Sequence, residues 1–139
     1  MPRARILPLR RGVAVVAEPR EPQQGVDAVE PERAVVLVAY LLHLVGSAGA
    51  LPGLLALSLP NLVALAMNYA KRAGAGSLLK SHHAWMIRTF WWALPWAALG
   101  HLTTGLAVGW LILVLVWLWY VYRHVLGLIR LANGEPMPQ

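Results

Sequence analysis

The sequence predicts an all-α fold: an integral membrane four-helix bundle with an interfacial amphipathic helix before its third span. Three observations lead there. Hydrophobic residues make up 58% of the 139 residues, above the roughly 45–50% of soluble domains. Charged residues make up 13%, about half the usual share of about 25%. No Asp or Glu lies between Glu32 and Glu135. A soluble domain of this size has too much surface to leave so uncharged. The length allows one domain and no second core.

Residues 1–33 read as a disordered polar tail. Pro2, Pro8, Pro19, Pro22 and Pro31 are expected to break helices there, and most of the acids fall in this stretch. The apolar run Val13–Ala17 after Arg10-Arg11 is five residues long. A signal peptide needs roughly 7–15, so no cleaved signal is expected.

Residues 34–132 form the expected transmembrane domain. The first span covers about 34–50 and rises only about 25 Å, short for a hydrocarbon core of about 30 Å. Gly46, Gly49, Pro52 and Gly53 mark a turn. The second span covers 54–70, interrupted by Pro60 and closed by Lys71-Arg72. A flexible Ala-Gly-Ala-Gly-Ser link follows. Residues 78–87 are amphipathic: Leu78, Leu79, His82, Trp85 and Met86 share one side, Lys80, Ala84 and Arg88 the other. This stretch reads as an interfacial helix. The third span covers 89–105 with Pro95 inside, and the fourth 110–131. Asn133-Gly134 and Pro136 stop the last helix, leaving residues 133–139 as a short tail.

Charge sets the expected topology. With four crossings, the tail, the 71–88 loop and the C-terminus share one face, and the Lys and Arg residues lie on or near it. The opposite loops carry no fixed charge. The positive-inside rule then places both termini in the cytoplasm. The basic balance of +6 therefore reads as membrane orientation, and no nucleic-acid partner is expected.

His43 and Asn61 fall at similar depth in the first antiparallel hairpin. His43 has Asn61, or the carbonyl of Ala56 freed by Pro60, within expected reach. The plain reading is a helix–helix hydrogen bond; the functional one is a proton- or ligand-binding site. Candidate interface, lipid or partner contacts are Lys71, Arg72, Lys80, His82, Trp85, Arg88, Trp91, Trp92, Arg123 and Arg130. Arg123 and Arg130, seven apart, share a helix face and are expected to snorkel to one interface.

No metal site is expected at His82-His83, since adjacent side chains diverge by about 100° on a helix. The absence of cysteine excludes disulfides and thiolate ligands. Nucleophile elbows, phosphate loops and paired carboxylates are missing, so neither an enzyme activity nor a cofactor is expected.

Several strings carry a resemblance. They are Tyr40-Leu41-Leu42-His43, Asn68-Tyr69-Ala70-Lys71-Arg72, and Ser81-His82 with Trp85 leading into Ile87-Arg88-Thr89-Phe90-Trp91-Trp92. Further along come Trp119-Tyr120-Val121-Tyr122-Arg123, Gly127, Arg130-Leu131 and Asn133-Gly134-Glu135-Pro136-Met137. Over about residues 35–137 the chain resembles the bacterial domain of unknown function 4870 family. That family is distantly similar to the small channel subunit of the chloroplast inner-envelope translocon. The family loop after the Lys-Arg pair is usually acidic; here it is Ala-Gly-Ala-Gly-Ser with Lys80. The resemblance implies a four-helix protein of the bacterial inner membrane and no catalytic residues.

The expected role is a non-enzymatic accessory or scaffold subunit. Its partners would be the lipid bilayer and another membrane protein or a second copy of itself. The alternative is an oligomeric channel or translocator subunit.

Overall fold

A computed structural model describes residues 22–48 and 58–138, with side chains from Val29 onward. Four α-helices make up the described architecture: α1 (Pro22–Ala48), α2 (Leu59–Arg72), α3 (Ser77–Leu102) and α4 (Val108–Ala132). No strand occurs among the described residues. α3 packs on α4 and α1 on α2; α1 also touches α4 and α3, and α2 touches α3. α1 and α3 therefore lie on the short diagonal, with α2 and α4 at far corners. Two helices, Val29–Ala48 and Val108–Ala132, are long and apolar enough to cross a membrane.

Three expectations change. Pro31 does not break α1, which continues through it back to Pro22. A helix-interior proline costs about 3 kcal/mol, and tertiary contacts around it offset this. The Arg33 guanidinium donates to the carbonyls of Leu131 and Ala132 at 2.7 and 3.1 Å. Val36, Ala39 and Tyr40 enter a core cluster with Leu79, Met86, Leu131 and Met137. The part of the polar tail from Pro22 to Arg33 is thus helical.

Pro60 does not interrupt a helix. It stands in the first turn of α2, after the N-cap Ser58, where its missing N–H would have had no intrahelical partner. Residues 54–57, and with them the Ala56 carbonyl, lie outside the described residues, as do Gly49 and Gly53.

The interfacial helix and the third span are one continuous helix. Leu79, His82, Met86, Thr89, Phe90, Ala93, Ala97 and Gly100 form an unbroken buried stripe along α3. No breaker falls between residues 87 and 89, so nothing divides the two segments.

The short C-terminal tail folds back onto the bundle. Glu135 N–H bonds the Arg130 carbonyl at 2.9 Å and Gly134 N–H the Leu131 carbonyl at 3.1 Å. Gly134 sits at φ +70, the left-handed helix cap that glycine adopts at low cost. The chain then turns back onto α3. Met137 is buried, and its N–H donates to the Ser81 hydroxyl at 2.9 Å.

Candidate functional site

The bundle interior holds an unusual amount of polar chemistry. His43, Asn61, Asn68, His82, His83, Thr89 and His124 are all at most 1% exposed. Tyr40 and Tyr120 join them as the largest fully buried side chains. Every helix contributes: Tyr40 and His43 from α1, Asn61 and Asn68 from α2, His82, His83 and Thr89 from α3, Tyr120 and His124 from α4. Their spacing on each helix is three, four or seven residues, except for His82 and His83, so each helix turns one polar stripe inward.

Their contacts form two chains. In the first, His83 Nδ1 lies 2.8 Å from Asn68 Oδ1. An amide oxygen only accepts, so His83 Nδ1–H donates. Asn68 Nδ2 then donates to His43 Nε2 at 3.4 Å, which places the His43 proton on Nδ1. From there it faces Asn61 Oδ1 at 3.0 Å and the Tyr120 hydroxyl oxygen at 2.7 Å. The Tyr120 hydroxyl donates onward to Asn61 Oδ1 at 3.3 Å. The structure thus brings His43 and Asn61 together, and adds Tyr120, Asn68 and His83 to the pair.

In the second chain, the Glu135 carbonyl lies 3.0 Å from His82 Nε2. A carbonyl accepts, so Nε2 carries the proton and Nδ1 keeps its lone pair. The Tyr40 hydroxyl donates to that lone pair at 2.9 Å. The His124 ring lies between the two chains, its centre 4.7 Å from His43, 4.3 Å from Tyr120 and 5.9 Å from Tyr40. His124 Nδ1–H donates to the Tyr120 carbonyl at 2.8 Å. Its Nε2 is buried with no hydrogen-bond partner.

Burial pushes the His83 imidazole down to about 4, with the neighbouring His82 and Arg72 acting in the same direction and Glu32 against them. His82 is also lowered, first by burial, while its bond to the Glu135 carbonyl opposes the shift. Both rings are neutral near pH 7, as the tautomers above require.

This arrangement favours fastening over proton transport. Asn61 and Asn68 stand between the imidazoles and the tyrosine, and a carboxamide hands on no proton without passing through its unfavourable imidic form. No carboxylate side chain takes part in either chain of bonds. Among the described residues, no three His, Cys, Asp or Glu side chains gather as a metal site.

The remaining sequence candidates divide between surface and interior. Lys71, Arg72 and Lys80 are exposed, the first two in the last turn of α2 where the helix dipole favours cations. Trp91 and Trp92 are half exposed, and Trp91 Nε1–H reaches the Tyr69 hydroxyl at 2.9 Å. Arg130 is half-buried and donates to the Pro136 carbonyl at 3.2 Å.

His82 and Trp85 are not surface contacts. His82 is fully buried, and Trp85, 8% exposed, donates to the Arg123 carbonyl at 3.2 Å. Their side of α3 packs against α1, α4 and the C-terminal segment. Arg123 does not snorkel outward beside Arg130 either. Its guanidinium lies 3.4 Å from the Trp85 ring centre, and its Nε–H donates to Thr89 Oγ1 at 2.8 Å.

Residue type alone does not mark Asn68, His83, Tyr40, Tyr120 and His124 as site residues. Helical spacing was the available signal: Tyr40 and His43 are three apart, Asn61 and Asn68 seven, Tyr120 and His124 four.

Comparison with protein-family models, curated proteins and solved structures gives no match.

Proposed function

We propose that this chain is a four-pass protein of the bacterial cytoplasmic membrane. It acts as a non-enzymatic accessory or scaffold subunit that holds another membrane protein or further copies of itself. The observation that carries this reading is the contrast between interior and exterior. Inside, histidine, asparagine and tyrosine side chains from all four helices bond one another. Outside, α3 and α4 present Trp92, Trp96, Trp110, Leu111, Leu115 and Leu118, each at least half exposed. So large an apolar surface suits lipid or a membrane partner.

The four-pass topology is supported by the two long apolar helices at the ends of the bundle and by the antiparallel α2 and α3 between them. The start of α1 and the end of α4 lie at the same end of the bundle as Lys71, Arg72 and Lys80, the side that the positive-inside rule assigns to the cytoplasm.

The test is the native mass of the full chain, extracted in mild detergent at natural abundance, with everything bound to it identified. A hetero-complex of fixed stoichiometry, lost on Arg88→Ala or Trp92→Ala while insertion persists, supports the scaffold reading. A monomer with no partner overturns it. A discrete homo-oligomer that conducts ions after reconstitution replaces it with the channel reading.

A further inference from the structure

Arg88 of α3 and Arg123 of α4 line one cavity of about 370 Å³, together with Trp85, Trp92, Trp119 and Pro138. Among the described residues, no acidic side chain lines it. Both guanidiniums lie against the same indole, with Cζ 3.4 Å from the Trp85 ring centre for Arg123 and 5.8 Å for Arg88. Arg123 is also 5.1 Å from the Trp119 ring centre. Each is held from behind: Arg123 by Thr89 Oγ1 at 2.8 Å, and Arg88 by the Pro138 carbonyl at 2.9 Å. Arg123 Nη2 is buried with no hydrogen-bond partner. Two oriented cations share a pocket with donors to spare and, among the described residues, no acidic side chain in its lining.

Two of its walls also line a second space. A groove of about 390 Å³ between α3 and α4 is lined by Trp92, Trp96, Ile112, Leu115, Val116 and Trp119. Trp92 and Trp119 border both. Arg88, Trp92 and Trp96 follow one another at four-residue intervals, and α4 runs antiparallel as Arg123, Trp119, Val116 and Ile112. The charged end therefore lies at one end of an apolar channel about 12 Å long on the α3 side. This is the polarity of a lipid molecule.

We propose that Arg88 and Arg123 bind the phosphate headgroup of an anionic phospholipid whose acyl chain lies in the α3–α4 groove. The site rests on the membrane reading above and goes beyond it by naming the ligand class. Guanidinium forks match phosphate oxygens, and stacking on indole leaves their edge N–H groups free to donate. A free inorganic anion would use the arginines and leave the groove empty. A phospholipid uses both.

The experiment is tryptophan quenching of the full chain in phosphatidylcholine vesicles. The probe is phosphatidylglycerol brominated on its acyl chains, compared with phosphatidylcholine carrying the same brominated chains. The expected result is half-maximal quenching at a mole fraction several-fold lower for the anionic lipid. Arg88→Gln alone, at an exposed position, narrows that difference, and Arg88→Gln with Arg123→Gln removes it. Lys80→Gln, an exposed cation outside the cavity, leaves it intact. Equal quenching by both lipids overturns the site, as does an equal loss in Lys80→Gln. Relief of quenching by millimolar inorganic phosphate overturns the lipid in favour of a free anion. Carbonate washing of the same vesicles separates the two levels: release of the wild-type chain overturns the membrane reading itself, and this site with it.

Discussion

Tyr40 on α1 donates its hydroxyl to His82 on α3 at 2.9 Å, and the direction of that bond is set from the far side of the ring, where His82 donates to the Glu135 carbonyl. Three segments distant in sequence are thereby joined through one imidazole. Tyr40→Phe leaves the His82 lone pair buried and unpaired. The expected loss is about 1–3 kcal/mol, read as a lower unfolding temperature in detergent. Release of the C-terminal segment, read as faster proteolysis beyond Asn133, should accompany it. Unchanged stability would show that water replaces the hydroxyl.

Asn68 bridges His83 and His43 with its two amide atoms. Asn68→Leu strands a donor on one side and an acceptor on the other. A double-mutant cycle between Asn68→Leu and His43→Leu should give a coupling of about 0.5–2 kcal/mol. Additive losses would mean that the two residues act independently.

Gly127 on α4 faces the Tyr40 ring and hydroxyl, and a Cβ there would overlap both. Gly127→Ala raises helix propensity, so on an isolated helix it would stabilise. In this bundle it should destabilise by about 1–3 kcal/mol, because Tyr40 is anchored at its hydroxyl. A raised unfolding temperature would show that α4 can shift away.

Stability should fall with acid. The native His83 is held at about 4, below the unfolded value of about 6.5. Between these values the unfolded chain binds the proton and the native chain does not. The contribution is therefore fully present above about pH 6.5 and is lost as pH falls through about 4. His82 is lowered too and acts in the same sense. His83→Gln should flatten this part of the stability–pH profile, measured by thermal unfolding. An unaltered slope in the variant would assign the acid sensitivity elsewhere.

Much of the helical content was legible in the sequence. Long apolar stretches with few charges dictate helices, because buried backbone groups must find partners within their own segment. The pairing of His43 with Asn61 was legible as well. Antiparallel neighbours of similar length bring residues equidistant from their charged ends to the same depth. Pro31 and Pro60 depart from the sequence expectation for opposite reasons. Around Pro31, packing outweighs a local penalty; at Pro60, the ring occupies a position where it carries none.

The sequence by itself determined the helical composition, the positions of Lys and Arg along the chain, and the absence of carboxylates between Glu32 and Glu135. These follow from residue counts and from local hydrogen bonding. Tertiary structure decided which face of each helix turns inward and what each face meets. It set His82 against Tyr40 and Glu135, Asn68 between two histidines, Arg123 over Trp85, and the last residues against α3. Each of these depends on the rotation of one helix about its axis relative to another. That rotation is set by contacts among all four helices, so it is a property of the bundle and not of any one segment.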